Sequence, residues 1–298
     1  MSNYAPILVS VYTRLEHFQR CIKALQNNLL ASKSELFVVS DGAARSEHIE
    51  AVAAVRNYAR NIKGFKKVHL IFRQENRGMF SSIICCHNEL LERYGKLIFL
   101  EDDILSAPTF LSHLNQALDY YQTNKNIFSV HGYSYPIDYD PKYKKDLFLF
   151  PRYNPWGVGL WADRWQQVNF DESQLDNFFQ DPQAIKNFIK PQPILLPILE
   201  KRMQAADAMI SYHLFKNNLT SVYPIKNHTI NIGFDDSGKH CGNDPVYAEQ
   251  SLPTNLSIPE CTSLTDHPII LRQLSHFFGY PNLQQRIINK VKRLLPQK

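Results

Sequence analysis

No stretch of the sequence is apolar over the roughly 20 consecutive residues that a membrane-spanning helix needs. The first ten residues contain neither a basic segment nor a long apolar one, so we expect no signal peptide. The five cysteines lack the paired spacing of metal sites, and their odd number argues against a disulfide framework. Internal repeats and low-complexity segments are absent as well. These absences predict a globular protein of a reducing cytoplasm.

The charges of the chain are nearly balanced, with 33 lysines and arginines against 28 aspartates and glutamates. The formal net charge of +5 and the isoelectric point near 8.8 are too small a basic excess to predict binding to nucleic acid. They are compatible with acidic small molecules such as nucleotide phosphates, or with an anionic membrane surface. At 298 residues the chain is long enough for a substantial core, in one large domain or two tightly joined ones.

Short apolar runs alternate with helical patterns through the first third of the chain. Buried strands appear as short apolar runs, whereas amphipathic helices show apolar residues at a 3.6-residue period. The predicted strands are residues 6–12, 35–40, 67–72 and 97–100, and the predicted helices are residues 15–30, residues 47–61 capped by Ser46, and a helix ending near Gly95. This alternation predicts an α/β fold with a mostly parallel central sheet flanked by helices.

The second half of the chain has a less regular pattern. We predict a strand at residues 128–130, helical pieces within 171–197, a helix over 203–217, and short strands at 222–224 and 229–232. Residues 233–242 are rich in glycine and polar side chains, which is typical of a mobile loop. Residues 282–295 have the pattern of a basic amphipathic helix, which would either lie on an anionic membrane or pack on the protein with its basic face in solvent.

Three consecutive acids, Glu101, Asp102 and Asp103, follow the fourth predicted strand. Burial would raise the pKa values of these carboxyl groups unless a cation or strong hydrogen-bond donors compensated them. Hard oxygen ligands suit Mg²⁺ or Mn²⁺, particularly where the phosphates of a substrate supply the other ligands. The pattern therefore predicts a divalent cation site, with an acidic N-cap for the helix that begins near residue 107 as the alternative.

Polar residues follow each of the other predicted strands as well. They are residues 12–14 after the first strand, Asp41 and Gly42 after the second, and residues 73–78 after the third. In open α/β sheets, ligands bind beyond the carboxyl ends of the strands. The four segments are therefore expected along one edge of the sheet, where they would form one ligand site.

Four ordered motifs at this edge resemble those of nucleotide-sugar glycosyltransferases with the GT-A fold, a Rossmann-like α/β fold. The motifs are PILVSVYTR, VVSDGA, RQENRG and FLEDD. The pattern is most similar to the inverting N-acetylglucosaminyltransferase I type and its bacterial relatives. The resemblance continues in the irregular acceptor-side half, through FPRYNPWGVGLWADRW, AADAMI and NHTINIGFDDSGKHCG, and covers roughly residues 6–242.

The resemblance implies a role for each acid of the motifs. Asp103 would coordinate the metal, Asp102 would face the ribose, and Glu101 would support the turn. Asp41 would accept a hydrogen bond from uracil, although an acid before a glycine is also typical of a simple Asx-turn. Asp207 would be the catalytic base that takes the proton of the acceptor hydroxyl.

Further residues would complete the donor and acceptor sites by the same resemblance. Arg14 would lie near the base or the phosphates, and three weaker candidates for the nucleotide edge are Arg73, Asn76 and Gly78. Two tryptophans, Trp156 and Trp161, would stack on a sugar face or simply belong to the core.

Three residues of the glycine-rich segment remain open as alternatives. Asp235 and Asp236 compete with Asp207 for the role of the base. His240 would either touch the diphosphate or the metal, or simply be exposed.

The sequence therefore predicts a glycosyltransferase of the hexosyltransferase type. It would move a sugar from a nucleotide donor, expected to be a UDP-sugar, to a hydroxyl of a glycan or lipid-linked glycan, with inversion and with Mn²⁺ or Mg²⁺. We expect a nucleotide-sugar-binding half at 1–130, an acceptor half at 131–280 and the basic helix at 281–298, in a bacterial cytoplasm that builds surface glycans. A sugar-phosphate nucleotidyltransferase and a non-catalytic sugar-binding subunit are the alternatives.

Overall fold

The structure is a computed structural model that describes residues 4–203, 205–236, 244–253 and 255–281. The strands are β1 Ile7–Val11, β2 Glu35–Ser40, β3 Lys67–Phe72, β4 Lys96–Glu101, β5 Ile104–Ser106, β6 Ile127–His131, β7 Leu147–Phe150, β8 Val158–Trp161, β9 Thr220–Pro224 and β10 Thr229–Asn231. The helices are α1 Leu15–Gln26, α2 Ile49–Arg60, α3 Met79–Tyr94, α4 Phe110–Tyr120, α5 Ala162–Trp165, α6 Leu175–Phe179, α7 Pro182–Ile189, α8 Leu196–Glu200, α9 Ala206–Lys216, α10 Pro245–Ala248 and α11 Pro268–Phe277.

Eight strands form one sheet, in the order β3-β2-β1-β4-β8-β6-β9-β7. Strand β1 pairs in parallel with β2 and β4, and β2 pairs in parallel with β3. Only β8 and β7 run against their neighbours within this sheet. The predicted α/β fold with a mostly parallel central sheet flanked by helices is therefore confirmed.

The direction of chain progression reverses beside β1. The chain passes from β1 outward to β2 and β3, and then returns to place β4 on the other side of β1. Such a reversal opens a crevice at the carboxyl ends of the two central strands, which is where ligands bind in open α/β sheets. Arg14 follows β1 at this point, and Asp102 and Asp103 follow β4.

The strands and helices are held together by a core on both faces of the sheet. The apolar residues of β4, from Leu97 to Leu100, are almost completely buried, which is the pattern of a strand covered on both sides. Helix α1 packs on one face through a stripe of Phe18, Cys21, Ile22 and Leu25 at helical spacing. This core supports the edge of the sheet where the polar segments lie.

Strands β2 and β3 have the predicted bounds, and β4 is one residue longer at each end than predicted. The cap predicted at Ser46 is wrong: residues 46–48 form a 3₁₀ turn, α2 begins at Ile49, and the Ser46 hydroxyl lies 3.3 Å from a carboxylate oxygen of Glu47. The first helix ends at Gln26, earlier than predicted, whereas α3 ends as expected at Gly95, which has a left-handed conformation (φ 74°).

Strands β5, β7 and β8 have no counterpart among the strands predicted from the sequence. Strand β8 lies between β4 and β6, and a Cβ atom on its Gly159 would come within 2.8 Å of Val130. A glycine in a strand interior usually weakens it. Here the close packing of the neighbouring strand requires one.

Both predicted halves of the chain contribute strands to the one sheet, since β6, β7, β8 and β9 continue it beyond β4. The helical pieces expected within 171–197 are present, and the helix expected over 203–217 is α9. The boundary at residue 130 and the role of the basic helix stay predictions, and residues 282–298 lie outside the described part. Within that part, no helix is long and apolar enough to cross a membrane.

Candidate active site

The acids after β4 are joined to Arg14 after β1. Atom Nη2 of Arg14 donates a hydrogen bond of 2.8 Å to Oδ2 of Asp103 and a second hydrogen bond to Oδ1 of Asp102. Both carboxylates are buried, with Asp103 only 4% exposed. Two buried carboxylates need a compensating cation, and in this structure the guanidinium provides it.

The pKa values of this group reflect burial and mutual repulsion. Burial raises the pKa of Asp102 to about 6, with Arg14 lowering it and Asp103 raising it further. The pKa of Glu101 lies well above its ordinary value because of burial and the charges of Asp103, Asp102 and Asp207. Burial of Arg14 opposes its charge, but the two neighbouring carboxylates more than offset this and raise the pKa of the guanidinium. The site therefore holds more negative charge than one arginine neutralises.

A divalent cation fits this group through one protein ligand. Oδ1 of Asp103 is buried and has no hydrogen-bond partner, so one carboxylate oxygen is left for a cation. No group of three or more His, Cys, Asp or Glu residues that could hold a metal occurs among the described residues. A bound cation would therefore depend on a substrate and water for its other ligands, as is usual for Mg²⁺.

The segment after β10 packs directly against Asp103. Strands β5 and β10 pair in antiparallel fashion, and the amide of Ile232 donates to the carbonyl of Asp103 at 2.9 Å. A Cβ atom on Gly233 would lie 2.3 Å from Oδ2 of Asp103, so only glycine leaves room for this carboxylate. Asp235 is about half-exposed and lies 3.0 Å from His17 on α1. The sequence prediction gave no role to Gly233, although it begins the glycine-rich segment.

The segments after β2 and β3 are tied to each other through Asp41. Its carboxylate accepts the amide hydrogens of Gly42 and Arg77, each at 3.1 Å. Asn76 donates to the carbonyl of Gly42 at 2.7 Å and accepts from the amide of Gly78 at 3.2 Å. Asp41 thus has the geometry of an Asx-turn that also fixes the facing loop.

The Arg73 side chain points toward α3. Its Nη2 atom donates to the Sγ atom of Cys86 on α3 at 3.4 Å, and its carbonyl accepts from Arg56 at 2.6 Å. The structure therefore places the start of this loop at the sheet edge, with the Arg73 side chain against α3.

Asp207 lines a separate cavity of about 90 Å³ beside the acids. It lies in the first turn of α9, where a carboxylate is favoured by the helix dipole. The cavity is also lined by Arg152, Tyr135, Tyr153, Trp156 and Tyr247. Aromatic rings around a carboxylate are suited to a sugar, whose apolar face packs on rings while its hydroxyls need acceptors.

The two tryptophans predicted to stack on a sugar, Trp156 and Trp161, have different environments. Trp156 is partly exposed in the cavity, with edge-to-face contacts to Tyr247 and Phe234 at 5.6 Å between ring centroids. Trp161 is 3% exposed, its Nε1 donates to the carbonyl of Leu118 at 3.1 Å, and the guanidinium of Arg164 covers its ring. The sugar-stacking hypothesis is therefore corrected for Trp161, which belongs to the core because β8 is an interior strand.

The charges of Asp207 and of the acids after β4 affect each other. The charge of Asp207 contributes to the raised pKa of Glu101. The pKa of Tyr153 is raised by burial and by the charges of Glu101 and Asp207. The carboxylate expected to act as the base thus lies close enough to the acidic group after β4 for the two to interact electrostatically.

The structure adds residues to this cavity that sequence reasoning did not identify, namely Arg152, Tyr135, Tyr153 and Tyr247. Arg152 and Tyr153 belong to the quoted FPRYNPWGVGLWADRW stretch and could have been found there as neighbours of Trp156. Tyr247 lies beyond the glycine-rich segment, and no local pattern marks it. His240 lies outside the described residues.

Comparison with known proteins identifies a family. Residues 7–180 match the family model of glycosyl transferase family 2, which is more than half of the chain. No curated protein sequence matches the chain.

Solved structures of glycosyltransferases are similar at low identity. The mannosyltransferase PcManGT from Pyrobaculum calidifontis, in complex with GDP-Man and Mn²⁺, is 15% identical with a TM-score of 0.37, over 59% of this chain and 47% of its own. S. aureus TarS is 10% identical with a TM-score of 0.42, over 76% and 60%. GalNAc-T7 with UDP, GalNAc and Mn²⁺ is 11% identical with a TM-score of 0.46, over 75% and 43%. This chain thus spans about half the length of the structures it resembles.

Proposed function

The chain belongs to glycosyl transferase family 2, and on this premise we propose that it moves a sugar from a nucleotide donor to an acceptor hydroxyl with inversion. The family match also confirms that the chain is a glycosyltransferase, and its α/β fold with a mostly parallel sheet is the one predicted. The resemblance to the N-acetylglucosaminyltransferase I type stays a prediction. The observation that carries the proposal is the pairing of a buried acidic group at the crevice of the sheet with Asp207 in the adjoining cavity.

The donor would bind along the carboxyl edge of the first four strands. Asp102 would face the ribose, and the Asp41 turn with Asn76 and Gly78 would border the base, which we propose to be uracil. Asp103 would hold Mn²⁺ or Mg²⁺ through its unpartnered Oδ1. When bound, the cation supplies positive charge to the diphosphate leaving group. Arg14 would be within reach of the same phosphates if it left the carboxylates.

Asp207 would act as the base on the acceptor side. The acceptor hydroxyl would give its proton to the Asp207 carboxylate, and its oxygen would form the new bond to the anomeric carbon. The bond from that carbon to the diphosphate oxygen would break with its electron pair going to the diphosphate. Attack from the side opposite the leaving group gives inversion. Trp156 would stack on the transferred or accepting sugar beside Asp207.

The test is release of UDP from UDP-sugars by the purified chain with Mn²⁺, with and without EDTA. A thermal-shift screen of UDP-, GDP- and other nucleotide sugars selects the donor beforehand, since a ligand stabilises the folded state according to its occupancy. Metal-dependent UDP release that is lost in Asp103→Asn supports the proposal. The absence of hydrolysis and of stabilisation with every nucleotide sugar rejects it.

The nucleotidyltransferase alternative is tested separately. Incubation with UTP and a sugar 1-phosphate would release pyrophosphate in that case and not in ours. The family match favours transfer of the sugar. The sugar-binding subunit would show donor binding with no hydrolysis under any condition.

The cellular role extends this proposal. We propose a glycan or lipid-linked glycan acceptor and a place in bacterial surface glycan synthesis at the cytoplasmic side of the membrane. The basic segment at residues 282–295 would provide peripheral membrane contact. Liposome flotation of the chain with and without residues 282–298 tests this, and equal flotation removes the membrane contact.

A further inference from the structure

Arg152 is a buried arginine that forms no ion pair in the described part of the chain. It is 8% exposed, and its Nε and Nη1 atoms are buried without a hydrogen-bond partner. No ion pair involving it is found in residues 4–203, 205–236, 244–253 or 255–281. Arginine cannot lose its charge at ordinary pH. A buried guanidinium without an anion is therefore unfavourable, and it calls for an explanation.

A second buried arginine shows what a structural role looks like. Arg164 is 3% exposed, and its Nε and Nη1 atoms are also buried without a hydrogen-bond partner. Its Nη2, however, donates to the carbonyls of Tyr121, Gln122 and Asn124 at 3.2, 2.7 and 3.1 Å. These contacts close the end of a helix. Arg152 makes no comparable contact in the described part of the chain, so its guanidinium donors are not used to hold the fold together.

The Arg152 guanidinium is nonetheless held in place. Its Cζ atom lies 4.2 Å from the ring centroid of Phe278 and 5.8 Å from that of Tyr135. Its backbone is fixed because the carbonyl accepts the Tyr223 hydroxyl at 2.9 Å. The rings orient the cation without neutralising it, and this leaves its donors for a ligand.

The guanidinium lines the same cavity as Asp207. The cavity of about 90 Å³ has room for several water molecules, and therefore for a carboxylate or phosphate group. Its aromatic walls suit a sugar ring. A fixed arginine fork matches the geometry of carboxylate and phosphate oxygens. One cavity thus combines a base for a hydroxyl with an unpaired cation for an oxyanion.

We propose that Arg152 selects an acceptor that carries an oxyanion, either the carboxylate of an acidic sugar or a sugar phosphate, close to the hydroxyl that Asp207 deprotonates. This inference rests on the proposed function, because it assigns the cavity to the acceptor. A neutral glycan would leave the buried guanidinium without an oxyanion at hydrogen-bonding distance and would bind more weakly.

The first measurement is the stability of the free protein. Arg152→Met keeps the length of the side chain and removes the charge. Because the charge is unpaired in the free protein, this variant should unfold at a higher urea concentration than the wild type. Arg60→Met is the matched control, since Arg60 also lies over a phenylalanine, 5.3 Å from the centroid of Phe72, but is exposed and outside the cavity.

The second measurement compares stabilisation by pairs of sugars with and without an anionic group. Methyl glucuronide and glucose 6-phosphate are compared with methyl glucoside and glucose, by thermal shift and calorimetry in the presence of UDP and Mn²⁺. We expect at least one anionic ligand to bind the wild type about tenfold or more tightly than its neutral partner, as for a charged hydrogen bond. Arg152→Met and Arg152→Gln should lose this preference, and Arg60→Met should keep it. If the wild type prefers methyl glucuronide, the acceptor carries a carboxylate. If it prefers glucose 6-phosphate, the acceptor carries a phosphate.

Two outcomes overturn the inference. One is equal affinity of the wild type for the anionic and neutral members of both pairs. The other is a preference that both Arg152 variants retain. The proposed function is judged by UDP release from the nucleotide sugar in the same preparations. If UDP is released but the wild type does not prefer the anionic ligands, only this inference is rejected. If the wild type prefers the anionic ligands but releases no UDP, the proposed transferase activity is rejected and the anion site remains.

Discussion

Nη2 of Arg14 lies 2.8 Å from Oδ2 of Asp103, and this ion pair joins the loops after the two central strands. The two residues are 89 positions apart in the chain. In the sequence, Arg14 was expected beside the base or the phosphates and Asp103 beside a metal. In the structure, Arg14 binds one oxygen of Asp103, and the other oxygen, Oδ1, is left for a metal. Two cations on one carboxylate repel each other, so the arginine and the metal should weaken each other's binding.

Replacement of Arg14 by glutamine should make the protein less stable and more responsive to manganese. Without the guanidinium, Asp102 and Asp103 are buried and uncompensated, and we expect a loss of about 2 kcal/mol, reduced from the fully buried case because Arg14 is partly exposed. Mn²⁺ should recover more of the free energy of unfolding in Arg14→Gln than in the wild type. Urea unfolding with and without MnCl₂ measures both effects.

The exposed pair of Arg45 and Glu47 provides the control for this experiment, since Arg45→Gln should change neither quantity. An identical response of Arg14→Gln and the wild type to MnCl₂ would show that the arginine and the metal do not share a site.

Asp103→Asn should abolish metal-dependent binding of the nucleotide. The amide keeps the shape of the side chain but removes the charge that would hold the cation. We expect kcat to fall about 100-fold or more. Calorimetry of UDP with Mn²⁺ and with EDTA gives the metal dependence directly. Asp119→Asn, at an exposed surface ion pair, should leave it unchanged. Equal UDP affinity in manganese and in EDTA for the wild type would contradict the assignment.

Asp207→Asn should lower kcat by roughly 10²–10⁴-fold, the usual contribution of a general base. Binding of UDP should stay the same, because Asp207 lines the cavity beside the acids and makes no ion pair among the described residues. Steady-state kinetics and UDP titration separate the two effects. The variants Asp235→Asn and Asp236→Asn test the rival bases. If one of these variants loses turnover and Asp207→Asn does not, the catalytic base lies in the glycine-rich segment.

Gly233→Ala should impair activity without removing any acidic group. Its Cβ would lie 2.3 Å from Oδ2 of Asp103, so the carboxylate or the segment after β10 must move. We expect a clear loss of metal-dependent UDP binding. Gly95→Ala is the control: it is strained by a positive φ of 74° at the end of α3, at a cost of about 1 kcal/mol, but nothing of the site is near it. If both variants bind UDP equally well, the packing of Gly233 on Asp103 is not needed for nucleotide binding.

Stability should fall steeply in mildly acidic solution. Burial lowers the pKa of His87 and of His113 to about 4, and that of His131 to about 3, compared with an ordinary value of 6.5. Below pH 6.5 the unfolded chain binds protons that the folded chain does not, so stability present above this pH is lost as the pH falls toward 4. The maximum contribution is about 3 kcal/mol each for His87 and His113 and about 5 kcal/mol for His131.

Urea unfolding at pH 7, 6 and 5 measures this loss. The raised pKa values of Glu101 and Asp102 act in the opposite direction over this range, since the folded chain then binds more protons than the unfolded chain. A free energy of unfolding that rises as the pH falls would show that these carboxyl groups, and not the histidines, dominate the pH dependence.

The alternation of strands and helices and the acids after β4 were predictable from local sequence. Strands β2 and β3 have the predicted bounds because short apolar runs between turn residues are a short-range signal. Strand β8 was not predictable, because its Gly159 is explained only by the neighbouring β6. The 3₁₀ turn at residues 46–48 likewise departs from the capping expected of Ser46.

The sequence by itself determined the fold class, the edge of the sheet that bears the site and the acidic residues on it. These follow from the periods of strands and helices and from the chemistry of side chains at strand ends. Only the tertiary structure decided that Arg14 pairs with the acids, that Trp156 faces the cavity while Trp161 is in the core, and that Arg152 forms no ion pair among the described residues. The reason is that each of these depends on which distant segments the order of the strands brings together, and no local pattern encodes that.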